Sequence, residues 1–347
     1  MGDFSSLNIA YTGLNAHQKR ISVIGENIAN VDTPGYHRQR VQLSPIDNHS
    51  VGLITGVNRT GGGVEITDIA RMRNQILSEH ARHQSGVASS RARTADTLQQ
   101  LEQTVGGLNP GGIHDQMTAL FNSFDDLSGA PEDPAMRSVV LQQAENVAQG
   151  FARTVSGINQ LRDRTISNAT DSVRSINSIS EQIAVLDVEV AGAIAVDADP
   201  NTLLDKRDLL VSQLSSLAAV DVIQSQDGQV TVSLDGHLLV TNGRSNSIAI
   251  ETSADAALGA LGYAKVAVVN PGGRELSIGG GALAADLVAI AQLIPDGRRQ
   301  IDAVALELAN QVNAAHQAGV GLDASTGLDM FSVGPEGQLT VSADVAG

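Results

Sequence analysis

The first apolar positions of the chain, Leu7, Ala10, Leu14, Ile21, Ile24 and Ile28, fall with the one polar intruder His17 at alternating spacings of three and four. That spacing predicts an N-terminal helix with a narrow heptad seam. Gln18, Arg20, Glu26 and Asn27 lie off the seam. A stripe this narrow at the start of a chain suits a partner helix better than a broad core. The helix must stop before Pro34, because proline pushes the preceding residue out of the helical region. Gly35 then permits positive φ. Asn30-Val31-Asp32-Thr33-Pro34-Gly35-Tyr36 therefore reads as a helix exit and tight turn, leading into the basic run His37-Arg38-Gln39-Arg40.

Residues 37–70 alternate weakly, and Val41, Leu43, Ile46, Val51, Leu53, Ile54 and Val57 suit short strands or an extended arm. Gly61-Gly62-Gly63 reads as a flexible joint. Helical spacing returns over about 68–108 through Val87, Arg91, Thr94, Leu98, Leu101, Val105 and Leu108. A short helix over 113–127 and a long one over 134–192 follow, the latter striped by Val147, Phe151, Ile158, Val173, Ile176, Ile183 and Val190. Asp199-Pro200-Asn201-Thr202 caps a helix over 202–218. From 219 to 278 the period changes to two, with hairpin signals at Asp227-Gly228 and Asp235-Gly236. Gly279-Gly280-Gly281 returns the chain to helices over 282–294 and 297–318.

The pattern predicts a mainly α fold with a small β module, elongated and multi-domain: a long helical bundle, an inserted β-meander and an N-terminal helix of coiled-coil type. The expected divisions are an axial helix and arm (1–63), a first helical part (64–218), the β module (219–278), a helical return (279–320) and a Gly-rich C-terminal segment (321–347).

Charge adds an asymmetry. Residues 1–93 carry ten basic and seven acidic side chains, whereas the remainder carries twelve and thirty-one. The formal charge of −16 argues against nucleic-acid binding by phosphate neutralisation. The acidic excess reads as a solubilising surface, or the more basic N-terminal part packs against an acidic partner surface. With no cysteine, thiol catalysis, disulfides and Cys-ligated metals are excluded. No apolar run approaches the roughly 20 residues of a membrane helix, so no membrane insertion is expected. The start, Met1-Gly2-Asp3-Phe4, lacks the basic region of a cleavable signal.

Catalytic patterns are not found: no G-x-S-x-G, Walker A, H-E-x-x-H or G-x-G-x-x-G occurs. His80 and His83 share a helix face without a third ligand and read as solvated. Asp197-x-Asp199-x-Asn201 lacks the glycine and final glutamate of a calcium loop and reads as helix capping. No catalytic residue, cofactor or metal ligand is assigned.

The stretch Asn27-Ile28-Ala29-Asn30-Val31-Asp32-Thr33-Pro34-Gly35-Tyr36-His37-Arg38-Gln39 resembles the signature of bacterial flagellar rod, hook and hook-associated proteins. Leu204-Asp205-Lys206-Arg207-Asp208-Leu209-Leu210 and Leu308-Ala309-Asn310-Gln311-Val312-Asn313-Ala314-Ala315-His316 are similar to stretches of the hook-associated members. The resemblance implies a non-enzymatic structural subunit, exported through the flagellar apparatus to the extracellular flagellum and forming a short ring between hook and filament. Its implied partners are copies of itself, hook protein, a second junction protein on the flagellin side, and an export chaperone. Another rod- or hook-type axial protein, or a secreted coiled-coil adhesin or effector, is the alternative. The implied assembly residues are Leu7, Leu14, Ile21, Ile24 and Ile28 as knobs, with Asn27 and Asn30 serving helix-end or inter-subunit polar groups. Thr33, Pro34, Gly35, Tyr36 and Arg38 belong to the exit. The family pattern also implies a second heptad helix near the C-terminus, which residues 321–347 do not carry; its absence would leave the Leu7–Ile28 seam exposed.

Overall fold

The computed structural model describes residues 2–46, 62–106, 111–225, 228–334 and 337–346. Helix α1 (Gly2–Ala29) is followed by two antiparallel strands, β1 (Gln39–Pro45) and β2 (Val64–Arg71). Part of the expected arm, with Val51, Leu53, Ile54, Val57 and Gly61, lies outside the described residues. The helix expected from about residue 68 begins at Gln75 instead. Residues 68–71 complete β2, with Asp68 opposite Gln42 and Arg71 opposite Gln39, so strand pairing decides a segment that local pattern leaves open.

Four helices follow: α2 (Gln75–Val105), α3 (Ile113–Gly129), α4 (Pro134–Ala195) and α5 (Asn201–Leu217). The apolar stripe read along α4 is its buried side, from Val147 and Phe151 to Ile183 and Val190. On α2 the inward position is Thr97, not Leu98, which is exposed. The Thr97 hydroxyl donates to the Arg93 carbonyl, so the short polar side chain is buried with its hydrogen bond made.

The chain divides into two compact units, residues 1–86 with 176–247 and residues 87–175 with 248–347. In the first, strands β3 (Asp221–Gln224), β4 (Val230–Leu234), β5 (His237–Thr241) and β6 (Arg244–Ser245) form an antiparallel sheet in that order. Asp235 and Gly236 both take positive φ, as the tight turn between β4 and β5 requires. At the centre of this unit Arg207 and Asp187 pair at 2.8 Å with almost no exposure. The other Asp187 oxygen accepts from the Val230 N–H, and Arg207 donates to the Gly228 carbonyl, joining α4, α5 and β4.

The single meander expected over 219–278 is two sheets. β7 (Ala249–Ser253) pairs with β8 (Lys265–Val269) in the second unit, separated by a short helix α6 (Ala256–Gly259) capped by Asp255. Alternation is a local signal and does not report which body a strand packs on. The helix break expected near Pro295 is also absent. α7 (Gly281–Val288), a π turn (Ala289–Leu293) and α8 (Ile294–Gln317) run on. The wider turn places Pro295 in the first turn of α8, where its missing N–H costs little. The C-terminal segment forms β9 (Phe331–Val333), β10 (Leu339–Val341) and α9 (Ala343–Ala346). It is no loose tail, for Met330, Phe331 and Leu339 belong to a core with Leu120, Phe151, Ile158, Ile301 and Leu308.

A second buried carboxylate, Asp286 on α7, is fully enclosed 3.3 Å from Arg93 Nε. Burial raises its pKa from 3.8 to about 6; Arg93 opposes the shift and Asp96 adds to it. Between those values the native chain keeps a proton that the unfolded chain gives up. Its contribution to stability therefore falls as pH rises from about 4 to about 6 and stays lost above, on the order of 3 kcal/mol. Asp286→Asn removes this component. Urea unfolding followed from acid to neutral pH is expected to show the variant gaining on the parent across that window.

Candidate assembly interface

Helix α1 carries two apolar lines. Ala16 and Val23, 2% and 3% exposed, face the β1–β2 pair with Ile9 and Thr12 half-buried beside them. The Thr12 hydroxyl accepts from the Val64 N–H at 3.3 Å and donates to the Ile9 carbonyl. The second line is offset by two residues: Leu7, Leu14, Ile21, Ile24 and Ile28 are 55–70% exposed, and Tyr11 and Val31 extend the surface. Ala10 and His17 lie on the same open face. From Leu7 to Ile28 the stripe runs about 30 Å along the helix. Covering five such side chains would release on the order of 10 kcal/mol of gross transfer energy.

The exit is built as the sequence implies. Tyr36 N–H donates to the Thr33 carbonyl at 3.1 Å, closing a turn with Pro34 and Gly35 at its centre and Gly35 at φ 82°. Asn30 serves the helix end: its amide donates to the Glu26 carbonyl and its oxygen accepts from the Thr33 hydroxyl. Asn27 has a different role from the inter-subunit one entertained above. Its amide donates to the Gln39 carbonyl at 2.9 Å, and its oxygen accepts from the Gln39 N–H at 2.8 Å and the Tyr36 hydroxyl at 2.9 Å. The side chain thus acts as one residue of a neighbouring strand and fastens helix to arm. Burial, aided by Glu26 and Asp205, raises the Tyr36 phenol pKa, so it remains a donor. Thr33, Pro34 and Arg38 are exposed, and the Arg38 carbonyl accepts from the Met72 N–H at 2.8 Å.

The residues that sequence reasoning left without a role sit on α5. His37 N–H donates to Asp205 Oδ2 at 3.1 Å, and His37 Nδ1 lies 2.8 Å from Asp205 Oδ1, which places the ring hydrogen on Nδ1. Arg71 bridges Asp205 and Asp208 at 2.9 and 3.0 Å, and Arg73 reaches Asp208 at 3.2 Å. Asn201 donates to the Ile69 carbonyl. His37, Asp205 and Asp208 bring donor atoms within reach of a common metal ion. The Arg71 guanidinium already supplies the positive charge between those carboxylates. His80 and His83 are exposed, and Asp199 accepts from the Asn201 N–H, while the N-cap of α5 is Pro200, which offers no side-chain cap.

Helix α1 thus combines an uncovered apolar stripe with a fixed exit turn, and its strand pair has a polar mount on α5. Residues 98–331 match the family described as the flagellar hook-associated protein FlgK helical domain, and residues 7–37 match that of the flagella basal body rod protein. The chain belongs to the FlgK helical-domain family of flagellar hook-associated proteins. It is 27% identical over 335 residues to flagellar hook-associated protein 1 of Salmonella typhimurium, covering 95% of this chain and 60% of that protein. Against the Bacillus subtilis protein of the same name the identity is 26% over 355 residues, covering 94% and 70%. The solved structure of the flagellar hook junction protein FlgK from Burkholderia pseudomallei superposes with a TM-score of 0.62 at 29% identity, over 74% of this chain and 46% of that one. The chain thus spans about three-fifths of the length of the Salmonella relative.

Two substitutions test the exit. Asn27→Ala leaves the Gln39 N–H and carbonyl unpaired, a loss of roughly 1–3 kcal/mol; hydrogen exchange at the Gln39 amide is expected to accelerate. Gly35→Ala forces a side chain into left-handed backbone and sets its Cβ 3.0 Å from Leu209 Cβ. Thermal unfolding should register a loss of roughly 1–2 kcal/mol.

Proposed function

We propose that this chain is a non-enzymatic structural subunit of the bacterial flagellum, which assembles with copies of itself as a short ring between hook and filament. It would reach that site by flagellar export, held beforehand by a chaperone. It would contact hook protein on one side and a second junction protein, towards flagellin, on the other. The observation that carries this reading is the uncovered Leu7–Ile28 stripe on a chain of the hook-associated family. Leu7, Leu14, Ile21, Ile24 and Ile28 are the proposed knobs, and Thr33 to Tyr36 with Arg38 set the exit.

One concavity in the second unit has a volume of about 820 Å³. Phe121, Phe124, Leu141, Val320, Leu322 and Met330 are among its lining residues. The rod-type family model matches residues 7–37, whereas the hook-associated domain covers 98–331. This favours the junction over another rod- or hook-type position, and over a free adhesin or effector. Among the described residues, no helix is long and apolar enough to cross a membrane.

Ile24→Asp places a charge on the open stripe without touching a buried contact. Circular dichroism is expected to be unchanged, while incorporation into hook-tip particles falls about tenfold or more, the equivalent of 1.4 kcal/mol or above. Normal incorporation of this variant would remove the basis for the proposal.

A further inference from the structure

Helix α1, the turn and the β1–β2 pair form one lobe, joined internally by Ala16, Val23, Thr12 and the Asn27 amide. The lobe meets α5 along a single helical face, since Asn201, Asp205, Asp208 and Leu209 follow one another at spacings of four, three and one. The side-chain hydrogen bonds and ion pairs described across that face are polar: two carboxylates and an amide from α5, against His37, Arg71, Arg73 and the Ile69 carbonyl. Gly35 also comes close to Leu209, where glycine leaves no side chain to interlock. One residue away, Arg207 points the other way into its buried pair with Asp187. The same helical turn is thus anchored in the body and ionic towards the lobe.

We propose that this ionic face is the joint at which α1 is aimed, with Asp205 and Asp208 as positioning residues for assembly. The proposal deepens the assembly reading above and rests on it for its purpose, though not for its geometry. An apolar interface is held by shape, and sliding it opens voids. This face has three cationic or imidazole donors for two carboxylates on successive turns, and Arg71 already spans both. The lobe can therefore turn by exchanging partners without stranding a buried charge. A subunit that must fit neighbours of more than one kind needs such freedom at the base of its binding helix, and rigidity within the lobe itself.

The chain contains no cysteine, so paired spin labels can be placed without background. One pair, on Gln18→Cys and Gln213→Cys, spans the joint. A second, on Gln18→Cys and Gln42→Cys, lies within the lobe; all three positions are exposed. Measured on dilute, unassembled full-length chain, the joint-spanning distance is expected to shift or spread when Asp205→Ala and Asp208→Ala are combined, while the distance within the lobe holds. Arg71→Lys, which keeps the charge, is expected to retain the parent distance. If the double variant fails to fold, Arg71→Gln, which leaves α5 intact, supplies the same comparison. An unchanged joint-spanning distance in the folded variant overturns the proposal. So does a spread in both pairs, which would mean that the carboxylates hold the lobe together. Because the measurement needs no assembly, a shifted distance alongside normal incorporation of Ile24→Asp would leave the joint standing and remove the junction role.

Discussion

Arg207 and Asp187 are enclosed together, and the geometry of the first unit follows from that enclosure. Two charges withdrawn from water must be paired and hydrogen-bonded, because breaking such a pair leaves a buried charge. Asp187 meets the requirement through Arg207 and the Val230 N–H, so helix α4 fixes both helix α5 and the start of strand β4. Once Arg207 is committed inward, its neighbours on the helix are committed outward. Asp205 and Asp208 then face the arm, where His37, Arg71 and Arg73 supply the opposite charge. The path of the N-terminal helix is in this sense set by a pair of residues far from it.

The division of labour along α1 rests on a small offset. Residues 9, 16, 23 and 30 share one heptad line with residues 7, 14, 21 and 28 on another two positions away. One line is used within the chain and the other stays exposed. Where the inner line runs out of apolar side chains, Asn27 continues the contact by pairing with the backbone of Gln39, which is itself buried. A side-chain amide can satisfy both groups of a strand residue at once, as an aliphatic side chain cannot.

Much of this was legible in the amino-acid sequence, and the rest was not for definable reasons. Helix α4 declares itself because its stripe, from Val147 to Val190, persists over about twelve turns. Leu7, Leu14, Ile21, Ile24 and Ile28 declare themselves by spacing, and Pro34-Gly35 by backbone chemistry. The start of α2 does not, since Ile66, Ile69 and Met72 suit strand or helix until β1 is known to pair with β2. The division of the strands into two sheets is a question of which body they join, to which alternation is silent. The ionic face was hidden by distance along the chain, for His37 and Asp205 are 168 residues apart. Leu204–Leu210 was visible as a likeness; that its carboxylates and its arginine face opposite ways was not.

Neither compact unit is continuous in the chain. When the first 175 residues have emerged from the ribosome, they hold the opening part of both units and complete neither. The Asp187–Arg207 pair and its sheet come only with residues 176–247, and the Met330–Phe331–Leu339 portion of the other core comes later still. Contacts so distant in sequence make closure slow. The first compact body therefore cannot close before residue 247, and the second not before the Met330–Leu339 portion is present.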